Sequence, residues 1–486
     1  MSQPENAPGA KASEMDRSVF KNLAILVLSA TIMILNETSL SVALKAIMGD
    51  FDIPATTAQW LITGFMLTMA VVIPTTGYLI ERFSTRQIFL AATALFIFGS
   101  VIAAVAPLFA ILFLGRVIQA AGTALIIPLL ITVTMFLVPL QRRGTVMGFI
   151  TVVVSVAPAL GPTVGGAILD AFNWNVIFWA MVPLMALIAL WGWWKLDNVG
   201  ENRDTPLDIL SVFFAAIAFG GLIYGLSGAE KIMAGEGILE VIIVVVAVVI
   251  LFVFVRRQLA LGKENRALLD LQPFKVRNFT FAIIIMVLCF GSMIGAFTIL
   301  PIYLQTSLAV TPLVTGLVVM PGGLAQGLLS PLIGRIFDSV GPRPLTIPGA
   351  IMMSGGMWAL STLDENSSVM TVVFMHVVFV IGIALLMTPL MTTALSSLPD
   401  EYYGHGSAIM NTLQQLAGAI GTAFLVVFFT RGTESGLAAG MSEASATSQG
   451  TSWAFILGGI LTLAVVVLAP FVTRIAESVD HSSQPV

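Results

Sequence analysis

The sequence predicts an all-α integral membrane protein whose chain crosses the bilayer fourteen times. Of its 486 residues, 57% are hydrophobic and only 10% are charged, whereas soluble domains carry about 25% charged residues. Lipid can solvate this much apolar surface, but a soluble fold of the same length could not bury it. The apolar runs are long and continuous rather than alternating, which excludes a transmembrane barrel.

Fourteen segments are long and apolar enough to span the hydrocarbon, which takes about 20 residues each. The chain has only one cysteine, Cys289, which rules out an internal disulfide. It lies in one of these segments and is expected to be a small buried hydrophobe. The segments are 20–44, 57–80, 87–106, 109–137, 143–169, 174–195, 206–227, 236–257, 278–304, 312–335, 343–363, 369–396, 402–430 and 451–475.

The basic residues lie almost entirely on one side of these segments. With the N-terminus inside, 18 of the 22 Lys and Arg fall in inside segments, three fall outside, and Arg116 lies within a helix. The positive-inside rule therefore predicts that both termini are cytoplasmic and that the protein lies in the cytoplasmic membrane. The net charge is only -4, and no basic patch indicates nucleic-acid binding.

The longest charged connection separates the first eight helices from the last six. The predicted organisation is a cytoplasmic tail (1–19), a six-helix bundle (20–195), two inserted helices (206–257), a cytoplasmic linker (258–277), a second six-helix bundle (278–475) and a cytoplasmic tail (476–486).

A short motif recurs in one hairpin of each bundle, where an acid follows a glycine by four residues and basic residues come next. Such internal repetition is typical of transporters built from two similar halves. An acid and bases at a junction of helices can form a charge lock that breaks when the halves rock; the alternative is ordinary inside charge at a tight turn. The residues are Gly77, Glu81, Arg82 and Arg86 in the first hairpin, and Gly334, Asp338 and Arg343 in the second.

The first of these hairpins resembles the loop signature of the major facilitator superfamily, with Glu81 where Asp is usual. The resemblance implies the major facilitator fold, here in a 6+2+6 arrangement with two helices inserted between the bundles. It also implies alternating access, in which the bundles rock around a site near the middle of the membrane.

The fifth predicted helix is rich in Gly and Pro and looks like the antiporter motif of drug exporters in this superfamily. Small residues spaced four apart let another helix approach closely, and each proline removes a backbone hydrogen bond and bends the helix. A generic packing face is the alternative interpretation. The motif residues are Pro158, Gly161, Pro162, Gly165 and Gly166.

The fourth predicted helix carries Arg116 in a segment similar to the superfamily's buried-arginine motif, with Gln119 on the same face. A guanidinium at membrane depth is costly and needs a partner or a water-filled cavity. If Arg116 lay near the end of the helix, its side chain could instead extend to the interface, and its role would be topological. The resemblance implies a role in proton coupling.

The first predicted helix holds Glu37, the one carboxylate well inside a predicted span. Its surroundings resemble the first-helix motif of the fourteen-helix drug:proton antiporters, and most closely that of lincomycin-resistance-type exporters. Asn36 stands at the usual Asp position, and Glu37 is one residue further, about 100° around the helix. We expect protons and substrate to compete for Glu37, so that proton entry drives export. The alternative is a structural Glu37–Arg116 pair that joins two helices.

Polar, aromatic and Met side chains on several helices are candidates for a promiscuous pocket, because such walls adapt to amphipathic ligands. Packing against other helices or lipid is the alternative for each of them. The candidates are Asn36, Ser41, Gln59, Trp60, Thr63, Met66, Gln119, Phe297, Tyr303, Gln305, Gln326, Asn411, Gln414 and Gln415.

No cofactor, metal site or enzymatic activity is predicted. His376 lies in a predicted helix and His405 on a predicted cytoplasmic turn, and neither has metal-ligating neighbours. The sequence contains no GxxxxGK[ST] phosphate loop, which disfavours ATP-driven transport, and no nucleophile-and-base constellation.

The predicted function is proton-coupled efflux of drug-like, amphipathic small molecules, with those molecules, protons and the lipid bilayer as partners. An accessory periplasmic adaptor is a further expected partner if the host has an outer membrane. One alternative is a proton- or ion-coupled symporter or uniporter of a small metabolite. Another is a non-transporting membrane receptor or scaffold, although short hairpins leave little surface for signalling.

Overall fold

The computed structural model describes residues 17–200, 206–264 and 266–474, and within these ranges all regular structure is helical. The predicted C-terminal tail and most of the N-terminal tail lie outside the described residues. The same holds for 201–205 and Asn265. Seven side chains are also outside this description: Arg17, Ala55, Thr56, Pro158, Ala159, Glu230 and Pro312.

Fourteen long helices follow one another along the described chain, in the predicted order. They are α1 (Arg17–Phe51), α2 (Trp60–Arg82), α3 (Thr85–Ala104), α4 (Phe109–Leu137), α5 (Arg143–Ala171), α6 (Asn175–Lys195), α7 (Ile209–Ser227), α8 (Ile238–Gly262), α9 (Arg277–Thr306), α10 (Pro312–Val340), α11 (Arg343–Leu360), α12 (Val369–Ser396), α13 (Tyr403–Ala438) and α14 (Glu443–Leu468).

Thirteen of these helices are long and apolar enough to cross a membrane. The other one, α11, has 18 residues, or about 27 Å at 1.5 Å per residue, but it is less apolar. The predicted all-α membrane architecture is confirmed. Several details differ from the prediction: α1 extends to Phe51 and α13 to Ala438, α14 begins at Glu443, and α8 extends into the predicted linker as far as Gly262. In addition, α7 contains a π-helical segment, Ala216–Gly220.

The helices pack as two groups of six with a pair between them. Helices α1 to α6 pack on one another, and so do α9 to α14. The two groups, called the halves below, meet mainly where α5 packs on α10 and where α2 packs on α13. Helices α7 and α8 pack together, and α7 also contacts both α2 and α13.

The two halves repeat one another down to single hydrogen bonds. The side chain of Asn22 in α1 accepts a bond from the backbone N–H of Asp197, just after α6, at 2.9 Å. Asn278 in α9 accepts the corresponding bond from the backbone N–H of Thr473, just after α14, at 3.1 Å. The first and last helices of each half are therefore tied together in the same way.

The halves are joined at one end, called the basic end below, which carries the hairpins α2–α3, α4–α5 and α10–α11. Hydrogen bonds and ion pairs of the described residues connect the halves in the part of the bundle nearest this end. They join Arg143 to Tyr403, Gly144 and Thr145 to Asp338, Thr388 to Thr151, Ser396 to Met135, Ser407 to Pro128, and His405 to Glu81.

Asp197 provides a pH-dependent test of the tie between α1 and α6. Hydrogen bonds from Ser18, at 2.6 Å, and from Lys21, at 2.9 Å, lower its pKa to about 2. A lowered pKa stabilises the fold above the unfolded-state pKa, and this stabilisation is lost as the pH falls toward the folded-state pKa. Asp197→Asn should therefore lower the melting temperature in detergent by about 1–2 °C at pH 7.

The melting-temperature difference between wild type and Asp197→Asn should shrink between pH 5 and pH 3, because the wild type loses the same contribution there. A difference that stays constant over this range would show that ionised Asp197 does not stabilise the tie.

Candidate functional site

A close approach of α3 and α4 positions the buried arginine. A Cβ on Gly99 of α3 would lie 2.6 Å from the backbone of both Gln119 and Gly115 in α4, so only glycine fits. The approach brings Ser100 against Gln119, whose Nε2 donates to the Ser100 hydroxyl at 2.6 Å. Gln119 is thereby oriented with its oxygen toward Arg116.

Arg116 is 1% exposed and lies inside the bundle, so its side chain does not extend to an interface. Its Nη1 donates to Asn36 Oδ1 at 3.1 Å and to Gln119 Oε1 at 3.0 Å. The guanidinium also stands over the Phe65 ring, 4.2 Å from the centroid. Arg116 Nε and Asn36 Nδ2 are buried without a hydrogen-bond partner, so the cluster has unused donors.

Glu37 lies beside this cluster but outside its hydrogen bonds. Its side chain is partly accessible, and its charge interacts electrostatically with that of Arg116. The direct partner of the guanidinium is the neutral amide of Asn36. In this structure, therefore, the predicted alternative of a structural Glu37–Arg116 pair is not realised as a direct contact.

The Gly- and Pro-rich motif of α5 packs against the residues of α1 that directly follow Glu37. A Cβ on Gly161 would collide with Thr38, and one on Gly165 would lie 2.6 Å from the Ser39 carbonyl oxygen. The Ser39 hydroxyl donates to the Gly161 carbonyl at 2.9 Å. In the same motif Pro162 is partly buried, and Gly166 faces open space. The motif therefore contains one tightly packed face, which sets the position of α1.

The acid of the second hairpin crosses to the other half. The Asp338 carboxylate accepts from the backbone N–H groups of Gly144 and Thr145, at 2.7 and 2.8 Å, and from the Thr145 hydroxyl at 2.6 Å. These groups begin α5, where the helix dipole favours a negative charge. A Cβ on Gly334 would collide with the Gly144 backbone, so this glycine permits the approach.

The acid of the first hairpin also crosses to the other half, and it meets a histidine. Glu81 Oε1 lies 3.2 Å from His405 Nε2, and a Cβ on Gly77 would lie 2.5 Å from His405 Nδ1. The prediction that His405 lies on a cytoplasmic turn was wrong, because it is buried in the first turn of α13. No local sequence signal marked it, since its partner is remote in the sequence.

Two bases of the hairpins bind within their own half. Arg86 donates to the Leu196 carbonyl at 2.8 and 3.1 Å, and Arg343 donates to the Pro470 carbonyl at 3.0 Å. Each therefore fastens its hairpin to the last helix of its half. The charge lock itself stays a prediction. Both hairpin acids contact the other half, whereas Arg86 and Arg343 bond to carbonyl groups of their own half.

A further contact between the halves lies between these two junctions. Arg143 Nη1 donates to the Tyr403 hydroxyl at 3.1 Å, and the guanidinium stands 5.3 Å from the centre of that ring. Arg143 and Tyr403 begin α5 and α13, the corresponding helices of the two halves. Neither was a candidate from the sequence.

The candidate pocket residues do not form one group. Tyr303 is buried, and its hydroxyl donates to the Asp364 carbonyl at 2.6 Å, which is a structural bond. Trp60 stacks on Tyr224 of the inserted helix α7, with ring centres 5.8 Å apart. The buried candidates besides Tyr303 are Asn36, Gln119 and Asn411; Ser41, Gln59, Trp60, Met66 and Gln305 are exposed; and Thr63, Phe297, Gln326, Gln414 and Gln415 are partly buried.

Two similar six-helix halves joined at one end, with a buried charged cluster inside the first half, are the architecture of membrane transporters built from two repeats. The chain belongs to the Major Facilitator Superfamily, whose family model matches residues 26–422. It is accordingly a multi-pass protein of the plasma membrane.

Named relatives and a solved structure agree with this assignment. The chain is 38% identical over 459 residues to the lincomycin resistance protein LmrB of Listeria monocytogenes, covering 93% of this chain and 96% of that protein. It is 30% identical over 401 residues to the multidrug export protein EmrB of Haemophilus influenzae, covering 82% and 78%. The human organic anion transporter MFSD10 shares the fold, with a TM-score of 0.64 at 12% identity, over 93% of this chain and 99% of that one.

The α5 motif provides a matched pair of substitutions. Gly161→Ala adds a methyl group that collides with Thr38, whereas Gly166→Ala adds one into open space. Overpacking of this kind costs about 1–3 kcal/mol, so Gly161→Ala should lower the melting temperature in detergent by about 2–6 °C. Gly166→Ala should melt at or slightly above the wild-type temperature, because alanine favours a helix more than glycine does. Equal melting of both variants would contradict the packing role assigned to Gly161.

Proposed function

We propose that this protein exports drug-like, amphipathic molecules across the cytoplasmic membrane in exchange for protons. The names of its relatives, a lincomycin resistance protein and a multidrug export protein, support export of such molecules. The observation that carries the exchange mechanism is the geometry around Arg116. A partly accessible carboxylate, Glu37, lies beside a buried guanidinium whose direct partner, Asn36, is neutral.

The basic end is the cytoplasmic end in this proposal, and both termini are cytoplasmic. The distribution of Lys and Arg supports this orientation through the positive-inside rule. Because the halves are joined at the basic end, the structure then corresponds to a state closed toward the cytoplasm. Glu37 lies about 30 Å along α1 from its start at the basic end, on the outer side of these contacts.

Competition between proton and substrate follows from the charge of this cluster. With Glu37 protonated, Arg116 leaves one positive charge, which repels a cationic substrate. With Glu37 ionised, the two charges cancel, and the carboxylate can attract the cation. A proton taken up from outside therefore favours substrate release there, and loss of that proton to the cytoplasm restores substrate affinity. One proton enters for each cation that leaves, so no net charge crosses the membrane, and the pH gradient drives the exchange with about 1.4 kcal/mol per pH unit.

Opening toward the cytoplasm requires both acid junctions to separate. Asp338 would leave the start of α5, and Glu81 would leave His405, while Arg86 and Arg343 keep their hairpins attached to their own halves. The acids bond across the halves and the arginines bond within a half. This arrangement supports rigid-body rocking, because the contacts between the halves can break while those within each half remain. The two junctions thus act as the locks of the closed state.

Replacement of Glu37 by Gln tests the proton role. Gln keeps the size of the side chain but cannot ionise, so Glu37→Gln mimics the protonated form. This variant should bind a cationic substrate weakly and lose transport driven by a proton gradient. In inside-out vesicles with an imposed pH gradient, uptake of lincomycin or a multidrug panel should fall to the level of vesicles without the transporter.

Asp170→Asn is the matched control, because it removes an exposed acid at the end of α5. This variant should transport like wild type. Proton release from purified protein on substrate addition should likewise persist in Asp170→Asn and vanish in Glu37→Gln. Gradient-driven uptake by Glu37→Gln at the wild-type rate would refute the proposed mechanism.

A further inference from the structure

The two junctions between the halves are unequal, although they occupy corresponding positions. Glu81 follows Gly77 as Asp338 follows Gly334, and His405 in α13 corresponds to Thr145 in α5. Asp338 receives three hydrogen bonds from the start of α5 and needs nothing more. Glu81 instead contacts the His405 ring. A histidine ring can donate a hydrogen bond to Glu81 only in the orientation and tautomer that place an N–H group toward the carboxylate.

The linker after α8 supplies the group that orients this ring. The backbone N–H of Asp270 donates to His405 Nδ1 at 3.3 Å. Because Nδ1 accepts this bond, the neutral ring carries its proton on Nε2, which then donates to Glu81 at 3.2 Å. Leu268, Leu269 and Asp270 are all buried, so this part of the linker is packed into the protein.

The inserted helices hold that part of the linker in place through Gln258 of α8. Gln258 is 0% exposed, its Oε1 accepts from the backbone N–H of Leu269 at 3.1 Å, and its Nε2 donates to the Ser211 hydroxyl of α7 at 2.7 Å. The bidentate Arg257–Asp208 pair, at 2.8 and 2.9 Å, joins α8 to the start of α7 beside it. A chain of bonds thus leads from α7 and α8 to the junction.

We propose that Gln258 is a positioning residue for the Glu81–His405 junction, and that the inserted helices serve to hold the linker against it. By fixing the Asp270 amide, Gln258 keeps the His405 ring in the form that binds Glu81 and so favours closure of the basic end. This gives the inserted pair α7–α8 a role in the transport cycle. The inference rests on the alternating access of the proposed function, but not on proton coupling or on the substrate.

A cysteine reporter can measure opening of the basic end directly. Thr388 is 0% exposed and bonds to Thr151 of the other half at 3.2 Å, so it becomes accessible only when the halves part there. The parent protein is Cys289→Ser with Thr388→Cys, and the native cysteine it removes is fully buried. The measurement is the rate of maleimide labelling of purified full-length protein in nanodiscs, without substrate or gradient.

Gln258→Leu in this parent should raise the labelling rate about fivefold, because the loss of one net hydrogen bond changes the ratio of open to closed molecules by about this factor. Glu264→Gln, an exposed change on the same linker, should leave the rate unchanged. If Gln258→Leu does not yield folded protein, Ser211→Ala takes its place, because it removes only the anchor of Gln258. An unchanged rate in the folded variant would overturn the proposal.

Repeating Gln258→Leu in proteins with one junction already weakened distinguishes a positioning role at the Glu81–His405 junction from a general loosening of the fold. In Glu81→Ala the junction has lost the acceptor for His405, so Gln258→Leu should add little to the labelling rate. In Asp338→Asn the other junction is weakened instead, and Gln258→Leu should still give its full increase. Equal increases in both backgrounds would mean that Gln258 acts only as a structural residue.

The labelling result is independent of the transport result. If Glu37→Gln transports normally while Gln258→Leu behaves as expected, proton coupling through Glu37 is wrong and the positioning role stands. If Glu37→Gln fails to transport and the labelling rates do not change, the reverse holds.

Discussion

The cost of holding one guanidinium inside the membrane bundle governs the centre of this structure. A buried cation costs several kcal/mol unless hydrogen bonds and a suitable environment compensate for its lost hydration. Arg116 receives two neutral oxygens and an aromatic face. These are in turn positioned by glycines: Gly99 lets α3 reach Gln119, and Gly161 lets α5 press against α1, which carries Asn36. The small-residue seams are therefore part of the charged site rather than separate packing features.

The identity of the direct partner decides what the site can do. A carboxylate at the position of Asn36 would neutralise Arg116 only while ionised, and its protonation would disturb the bond that holds the guanidinium. With an amide there, the positive charge remains, and Glu37 on the next residue can be ionised or protonated without breaking the bonds that hold the arginine. The one-residue offset between the carboxylate and the usual family position thus separates the holding of Arg116 from the change of charge beside it.

The sequence predicted the features that depend on a local pattern of residues, such as the helices. It did not predict those that depend on contacts between residues remote in the chain. Composition and hydropathy predicted the fourteen helices, including α11, and the distribution of basic residues between the two sides agreed with that count. The π segment of α7 left no such pattern. Glu81 and Asp338 were found through the repeated hairpin motif, and Arg116 as a charge inside a predicted helix. His405 was not found, because its contact is with Glu81, more than three hundred residues away.

The inequality of the two junctions indicates how a duplicated fold accommodates inserted helices. In a strictly symmetric molecule both junctions would resemble that of Asp338, where the start of a helix binds the acid without help. At the Glu81 junction a ring replaces the threonine hydroxyl, and the Asp270 amide completes it from outside the two halves. A junction that needs an external group can be strengthened or weakened through that group, whereas a self-contained one cannot. The α2–α13 seam, which α7 touches on both sides, is therefore the place where α7 and α8 can influence the closed state.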